Sequence, residues 1–392
     1  MSGTDPTDAR STAPRLGIIF GTRPEVIKLF AVLKALEPAI DAGQVIVRVL
    51  STGQQRQLVD QTMRWFGIQP DEDLDVMAHS GSDDPAALHT RLMAGLHGWM
   101  KAERLDRCVV QGDTSTAHAA ALTAFYLRVP VSHIEAGLRT WDRDQPWPEE
   151  LHRRGIALCA DQHFCPTAEA LHNLEETKIV APKDGRAWVV GNTVVDALRL
   201  STQRMPPPVP DPHMEAKTPN LRLFVTLHRR ENQPLLTSDI LPALRRVIAD
   251  HPHVTAVVSV HPNPTVRRAV ARELTGVPRI ELRPPLDYGE TLALVRDAAL
   301  VVTDSGGLQE EATALGTPVV VLRQRTERAE AVDAGCAILP GTGAMAIAQT
   351  LHRLLTDHQA RAQMARKSDV FGDGHAAERI VEHVLGALGV GV

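Results

Sequence analysis

The chain is poor in cysteine. Its 392 residues hold four, Cys108, Cys159, Cys165 and Cys336, and no two form a C-x-x-C pair. That scatter indicates neither a zinc site nor a disulfide framework. An excess of positive charge is missing too: 42 Lys and Arg stand against 47 Asp and Glu, a net charge of -5. Phosphate binding along a nucleic acid needs a basic face, so that partner is not expected. No apolar run approaches the roughly 18–20 residues of a membrane span. The stretch Met1–Pro14 is polar and lacks the apolar heart of a secretory signal. It reads as a short disordered leader. No membrane is therefore expected as a partner, and the cytoplasm is the expected compartment. Two phosphate-binding signatures are also absent. There is no G-x-G-x-x-G, hence no bound dinucleotide of the usual kind, and no G-x-x-x-x-G-K-[ST] loop. His79, His89, His97 and His118 lack metal-ligand spacing. Neither a cofactor nor a metal is expected.

What the chain does have is rhythm. Short apolar runs alternate with amphipathic stretches of helix length, the pattern of βα units and parallel sheets. Strands are predicted at Leu16–Phe20, Val45–Leu50, Arg107–Val110, Val131–Ile134, Ala187–Val190, Leu221–Thr226, Thr255–Val260, Arg279–Leu282, Leu300–Thr303 and Pro318–Leu322. The length calls for two domains of roughly 150–200 residues. A proline-rich stretch, "MPPPVPDPHMEAKTPN", continues neither helix nor central strand and separates them. The expected organisation is a leader (1–14), an N-terminal Rossmann-like domain of about five strands (15–198), a linker or long loop (199–220), a C-terminal Rossmann-like domain of four or five strands (221–370), and a C-terminal helical segment (371–392) able to pack back on the first domain. The fold class is α/β, two doubly wound parallel-sheet domains in tandem.

In open parallel sheets, ligands bind beyond the carboxyl ends of the strands. Six predicted strand ends run into "GTRPEVIK", "QGDTSTAH", "EAGLRT", "LHRREN", "HPNP" and "DSGGLQEE". Glycine, acids, His and Arg gather there from both domains, which argues for a cleft lined from both sides. In the last of these, Ser305, Gly306 and Gly307 open a helix whose free N–H groups and partial positive charge suit an anion, most plausibly a phosphate. The competing reading is a plain N-cap by Asp304 or Ser305. Glu311 lies too deep in the helix to cap it but within reach of two vicinal ribose hydroxyls. Phosphate plus ribose points to a nucleotide. Arg23 and Lys28 add positive charge at the first strand end, and Arg328 is a third candidate cation.

A second group has the opposite sign. Asp113 and Glu135 follow strands, and Glu149 lies in "PWPEE". Three carboxylates facing one cleft repel, so at least one pKa is expected to rise, as in proton-transfer sites. Glu150 is better read as a helix-start acid pairing with Arg153 and Arg154 one turn on. His228 follows a buried strand and is a candidate cation or general acid.

Taken in order, "FGTRPEVIKL", "QGDTSTAHAAALTAFYLRVPVSHIEAGLRT", "PWPEE", "VGNTVVDAL", "HRREN", "TDSGGLQEE", "LGTPVVVLR", "TER" and "FGDG" resemble the bacterial non-hydrolysing UDP-N-acetylglucosamine 2-epimerases, from about Gly17 onward. The resemblance implies a two-domain fold like that of GT-B glycosyltransferases, a homodimer, and a UDP-sugar in the interdomain cleft. It implies elimination of UDP to 2-acetamidoglucal and re-addition, giving UDP-N-acetylmannosamine without NAD. The family's acid/base carboxylates fall on Asp113, Glu135 and Glu149 and its catalytic histidine on His228. Its nucleotide and phosphate contacts fall on Arg23, Lys28, His261, Ser305, Gly306, Gly307, Glu311 and Arg328. Which carboxylate is base and which is acid stays open.

Several positions depart from the family pattern. His152 replaces the Asn of "PEExNR", Gln233-Pro234 replaces x-Gly after "HRREN", and Ala329 replaces the Pro of "TERPEA". The "QHR" stretch tied to a second, allosteric UDP-sugar reads Gln54-Gln55-Arg56, and Gln55 carries no charge. Thr291 stands where an aromatic ring often faces the uracil, with Tyr288 as a possible substitute. Rival functions are an epimerase for a related UDP-2-acetamido sugar, a UDP-sugar glycosyltransferase, a hydrolysing epimerase, and a binding protein on an inactive scaffold.

Overall fold

A computed structural model of the chain describes residues 13–78, 84–180, 186–208 and 220–391. The leader up to Thr12, His79 and 209–219 of the proline-rich stretch lie outside the described residues. The chain divides into two units. The first runs to Leu138, resumes over Asp142–Val190, and takes back Ala376–Val392 at the end; the second is Gly191–His375 with Arg139–Trp141.

The first unit holds seven strands: β1 (Arg15–Phe20), β2 (Ile46–Ser51), β3 (Glu72–Asp73), β4 (Arg107–Gln111), β5 (Val131–Ile134), β6 (Gln162–Cys165) and β7 (Ala187–Val189). All pairs are parallel, in the order β3-β2-β1-β4-β5-β6-β7. Its helices are α1 (Arg23–Asp41), α2 (Arg56–Phe66), α3 (Pro85–Glu103), α4 (Ser115–Tyr126), α5 (Glu149–Cys159) and α6 (Ala168–Glu176). Strands covered on both faces must be apolar throughout, and Leu16, Ile18, Ile19, Phe20, Val109 and Val110 are fully buried. Glycine is needed at Gly21, the turn into α1. A Cβ there would lie 2.1 Å from Thr52 Oγ1 and 2.4 Å from Thr116 Oγ1. The C-terminal helix, Ala376–Ala387, packs against α1. His383 on it stacks on Trp188 with ring centroids 4.1 Å apart, and its carbonyl accepts from Gln162 Nε2 at 3.1 Å.

The second unit holds β8 (Leu221–Leu227), β9 (Val254–Val260), β10 (Ile280–Arg283), β11 (Leu300–Thr303), β12 (Val319–Val321) and β13 (Ala337–Ile338), again all parallel, in the order β10-β9-β8-β11-β12-β13. Its helices are α7 (Thr193–Ser201), α8 (Leu241–Asp250), α9 (Pro264–Leu274), α10 (Tyr288–Asp297), α11 (Gly306–Leu315), α12 (Ala329–Asp333), α13 (Ala344–Thr356) and α14 (His358–Met364). Each sheet reverses its winding once, between β1 and β4 in the first and between β8 and β11 in the second. Splayed connections at such a reversal leave a crevice at the carboxyl ends of those two strands.

The strand counts, seven and six, exceed the five and the four or five expected from the sequence. The unpredicted strands are β3 and β13, two residues each at sheet edges, and β6. The polar residues of β6 are buried with partners: Ser132 Oγ donates to Gln162 Oε1 at 2.7 Å. The break between units also differs from the expected 198/199, since α7 belongs to the second unit. Asn192, at its start, donates from its backbone N–H to the Phe371 carbonyl at 2.7 Å and from Nδ2 to Glu310 Oε1 at 3.0 Å.

Candidate active site

In the first unit the neighbouring strands β4 and β5 end in register, Gln111 opposite Ile134. Asp113 and Glu135 therefore leave the sheet side by side. Glu135 adopts a left-handed backbone, φ 64°, a conformation that costs a non-glycine residue of order 1–3 kcal/mol and clusters at functional sites. Its Oε2 accepts from Lys28 Nζ at 2.6 Å and from Gln111 Nε2. Lys28 and Glu135 are both buried. The charge of Lys28 is thus matched by Glu135 within the first unit. Asp113 accepts at its carboxylate from Arg153 Nη2 and at its carbonyl from His152 Nδ1 at 2.9 Å. Two of the three predicted acids therefore carry their own cation, which relieves the repulsion expected among them. Glu149 is the first residue of α5 and is half-buried. Glu150 is fully buried and pairs with Arg153 at 3.3 Å and Arg154 at 2.7 Å, the structural role read from the sequence.

Between Arg23 and Lys28 sits an acid the sequence reading passed over. Glu25 is fully buried and accepts from the N–H groups of Gly21 (3.0 Å) and Thr22 (2.8 Å) and from the hydroxyls of Thr22 (2.8 Å) and Thr114 (2.6 Å). Burial pushes its carboxyl up to about 7 in spite of those hydrogen bonds. The T-x-x-E spacing of a capping box was the available signal. Arg23 begins α1, half-buried, and its backbone N–H donates to Gln55 Oε1 at 3.2 Å. Arg56 pairs with Asp60 (3.1 Å) and Asp73 (2.8 Å).

In the second unit β8 and β11 also end together, Thr226 opposite Thr303. Asp304 is wholly buried and is not a helix cap. It accepts from the backbone N–H groups of His228 (3.0 Å) and Arg229 (3.1 Å) and from Asn232 Nδ2 (3.0 Å). Its carboxylate also lies 3.1 Å from His228 Nδ1. Burial alone would raise the Asp304 pKa, but the nearby His228 charge and these hydrogen bonds outweigh it and hold the group down at about 2. The arrangement fixes His228 with Nδ1–H toward Asp304 and Nε2 outward. The ring of His261, just beyond β9, stacks on His228 with centroids 5.8 Å apart. Burial, then repulsion from His228, lowers its pKa to about 4, partly opposed by Asp304.

Ser305 holds the N-cap position of α11 in extended backbone, yet its side chain makes no capping bond. Gly306 is needed for a close approach, though from within the protein: a Cβ there would lie 2.7 Å from Cζ of Arg328. The Arg328 guanidinium is therefore laid over the first turn of α11. It is buried, donates from Nε to Glu310 Oε1 at 2.8 Å, and pairs through Nη1 with Glu327, which also takes Arg323 at 2.8 Å. Around Gly307 a Cβ would meet nothing within 4 Å. Glu311 is buried one turn further in. Tyr288 is a fully buried side chain, and Thr291 is buried too.

Two strand-end clusters thus stand at two winding reversals, one rich in carboxylates with their cations, the other combining a His–Asp pair, a glycine-opened helix and a buried arginine. The sequence profile described as UDP-N-acetylglucosamine 2-epimerase matches residues 39–385. The chain belongs to that family. Among relatives of this epimerase family, the UDP-N-acetylglucosamine 2-epimerase of Yersinia pestis is 40% identical over 373 residues, covering 93% of this chain and 96% of its own. That of Escherichia coli K12 is 38% identical over 372 residues, with 93% and 96% covered. The UDP-GlcNAc 2-epimerase of Neisseria meningitidis, solved bound to UDP-GlcNAc, superposes with a TM-score of 0.87 at 34% identity, covering 95% of this chain and all of that one. A glycosyltransferase from Streptomyces nogalater shares the fold alone, with a TM-score of 0.59 at 17% identity over 96% of this chain and all of that one. As an epimerase-family member the protein is an isomerase by class, and among its described residues no helix is long and apolar enough to cross a membrane.

Proposed function

We propose that this chain interconverts UDP-N-acetylglucosamine and UDP-N-acetylmannosamine without hydrolysing them. The observation that carries the reading is the pair of adjacent strand-end carboxylates, Asp113 and Glu135, each paired with a buried cation. A carboxylate takes the C2 proton; the C–H electrons form the C1–C2 double bond of 2-acetamidoglucal; the C1–O bond breaks toward the β-phosphate. Protonation of C2 from the other face and re-addition of UDP give the epimer. Glu149, at the start of α5, completes the acid/base group. Lys28 orients the Glu135 carboxylate, and Arg153 does the same for Asp113. Departing diphosphate needs positive charge, which His228, backed by Asp304, supplies together with Arg328 and the α11 N-terminus at Ser305, Gly306 and Gly307. Glu311 binds the ribose, and Arg23 and His261 flank the phosphates.

Proton NMR of the protein with UDP-N-acetylglucosamine in heavy water tests this. The expected result is a UDP-N-acetylmannosamine signal with deuterium at C2. Epimer without deuterium would overturn proton loss at C2, and UDP with free sugar would make the enzyme a hydrolase.

We also propose that two copies pair through α4 and α5. Leu151 and Leu158, 59% and 73% exposed, lie two turns apart on α5, beside Phe125 and Tyr126 (55% and 68%) at the end of α4. α4 packs against α5, and large apolar side chains left exposed on two packed helices suit an interaction surface. Light scattering is expected to give twice the chain mass, and Leu151→Glu/Leu158→Glu to give a folded monomer; a dimer unaffected by both charges would place the interface elsewhere.

A further inference from the structure

The sequence predicts no metal site, because its histidines lack ligand spacing. Folding brings three of them together from separate helices. α4 packs between α3 and α5, and His89, His118 and His152 come one from each. Ring centroids lie 5.0 Å apart for His89 and His118 and 4.8 Å for His118 and His152. One nitrogen from each ring can be chosen so that all three lie within 4.8 Å of one another. We propose that His89, His118 and His152 bind a divalent transition-metal ion of the zinc type, at a site outside the sugar-nucleotide chemistry.

Four observations carry this. First, the Asp113 carbonyl can only accept, so the 2.9 Å bond from His152 Nδ1 fixes that ring as the Nδ1–H tautomer. The lone pair is then on Nε2, and a ligand imidazole whose other N–H is held by a carbonyl is the usual way such a ring is oriented for a metal. Second, His118 Nδ1 is buried and has no hydrogen-bond partner. A buried polar atom left so is costly unless something meets it, and an ion can recruit the ring by a turn about its side-chain torsions. Third, room for the His118 ring depends on Gly155 of α5: a Cβ there would lie 2.5 Å from His118 Nε2. Fourth, none of the three residues is exposed: His152 is buried and His89 and His118 are half-buried. The spacing is looser than in a filled site. Metal–nitrogen bonds of about 2.0–2.1 Å put tetrahedral ligands about 3.3 Å apart, so binding draws the rings together by roughly an ångström each. Three imidazoles suit zinc, nickel or copper and not magnesium or calcium. A water molecule would complete the tetrahedron. His152 stands where the family pattern has Asn, so the site is a feature of this chain. An ion there would clasp three helices and, through His152, steady the Asp113 carbonyl.

The test uses the full-length protein without a histidine tag, stripped with a chelator and dialysed. Calorimetry with zinc chloride is expected to show one equivalent bound, with a rise in Tm. Cobalt(II) is expected to develop the visible absorption of a tetrahedral site and lose it on zinc addition. His89→Asn and His118→Asn, each checked for unchanged far-UV circular dichroism, are expected to weaken binding at least tenfold and abolish the cobalt spectrum. His89 is only half-buried, so its variant is expected to fold even if the other does not. Absence of stoichiometric binding to the unaltered protein, or variants that bind as it does, would overturn the proposal; the second result would assign the metal to other histidines.

Discussion

Glu135→Gln is expected to lower turnover by about 10²–10⁴-fold, the range for loss of a positioned acid/base group, while UDP binds nearly as before. The two side chains have the same shape, so the left-handed backbone at this position is undisturbed. What changes is charge. Glutamine cannot take a proton from C2, and the buried Lys28 loses the carboxylate it pairs with. Removing one partner of such a pair costs about 3–5 kcal/mol, so Tm is expected to fall together with activity. Calorimetric titration with UDP separates the effects: nearly unchanged affinity shows that the nucleotide-binding unit is intact and that the lost rate belongs to the chemistry. Turnover within tenfold of the unaltered enzyme would remove Glu135 from the proton-transfer group.

The second large effect is expected at a residue that does not touch substrate in the proposed reaction. Asp304→Asn is expected to lower turnover by about 10²–10⁴-fold because Asp304 sets the ring position, tautomer and charge of His228. An asparagine presents one oxygen to donors that now share two, and it brings no charge to the ring. Because His228 is partly exposed, the stability loss is expected to be smaller than for Glu135→Gln. A pH signature distinguishes this role from simple packing. The native Asp304 pKa is depressed to about 2, against about 3.9 for an unfolded Asp. Its contribution to stability is therefore complete above about pH 4 and disappears as the pH falls toward about 2. Denaturant unfolding across that window is expected to show a shallower loss in the variant. An unchanged slope would mean the carboxylate is not held ionised by His228.

How far the sequence revealed these features depends on the kind of contact. β5 (VSHI) and β11 (LVVT) coincide with their predicted limits, each a short stretch holding β-branched residues and followed directly by an acidic turn. β6 was hidden because Gln162 and His163 are polar by composition and buried only through partners brought by other strands. Two-residue edge strands have no periodicity to read. Strand-end reasoning puts Asp113, Glu135, His228 and Ser305 just beyond the carboxyl ends of β4, β5, β8 and β11, and that is where they lie. It does not find who pairs with whom. That Lys28 meets Glu135, or that Arg328 lies over Gly306 between Glu310 and Glu327, follows from residues far apart in the chain. Asp304 was weighed as a cap because the turn motif is local, while its partners at 228, 229 and 232 are not. The same limit hid the histidine cluster, whose members come from three helices.

Translation is vectorial, and the return of Ala376–Ala387 to the first unit therefore sets an order of events. The flank of α1 that this helix covers, and the indole of Trp188 that His383 caps, stay bare while the ribosome makes the whole of Gly191–His375. The later half of the protein can finish its core while the earlier half still awaits a missing piece. For that interval α1 and Trp188 lack the apolar face of Ile380, Val381, Val384 and Leu385, and a chaperone can reach them first. Trimming the protein just before Ala376 would make that transient surface permanent.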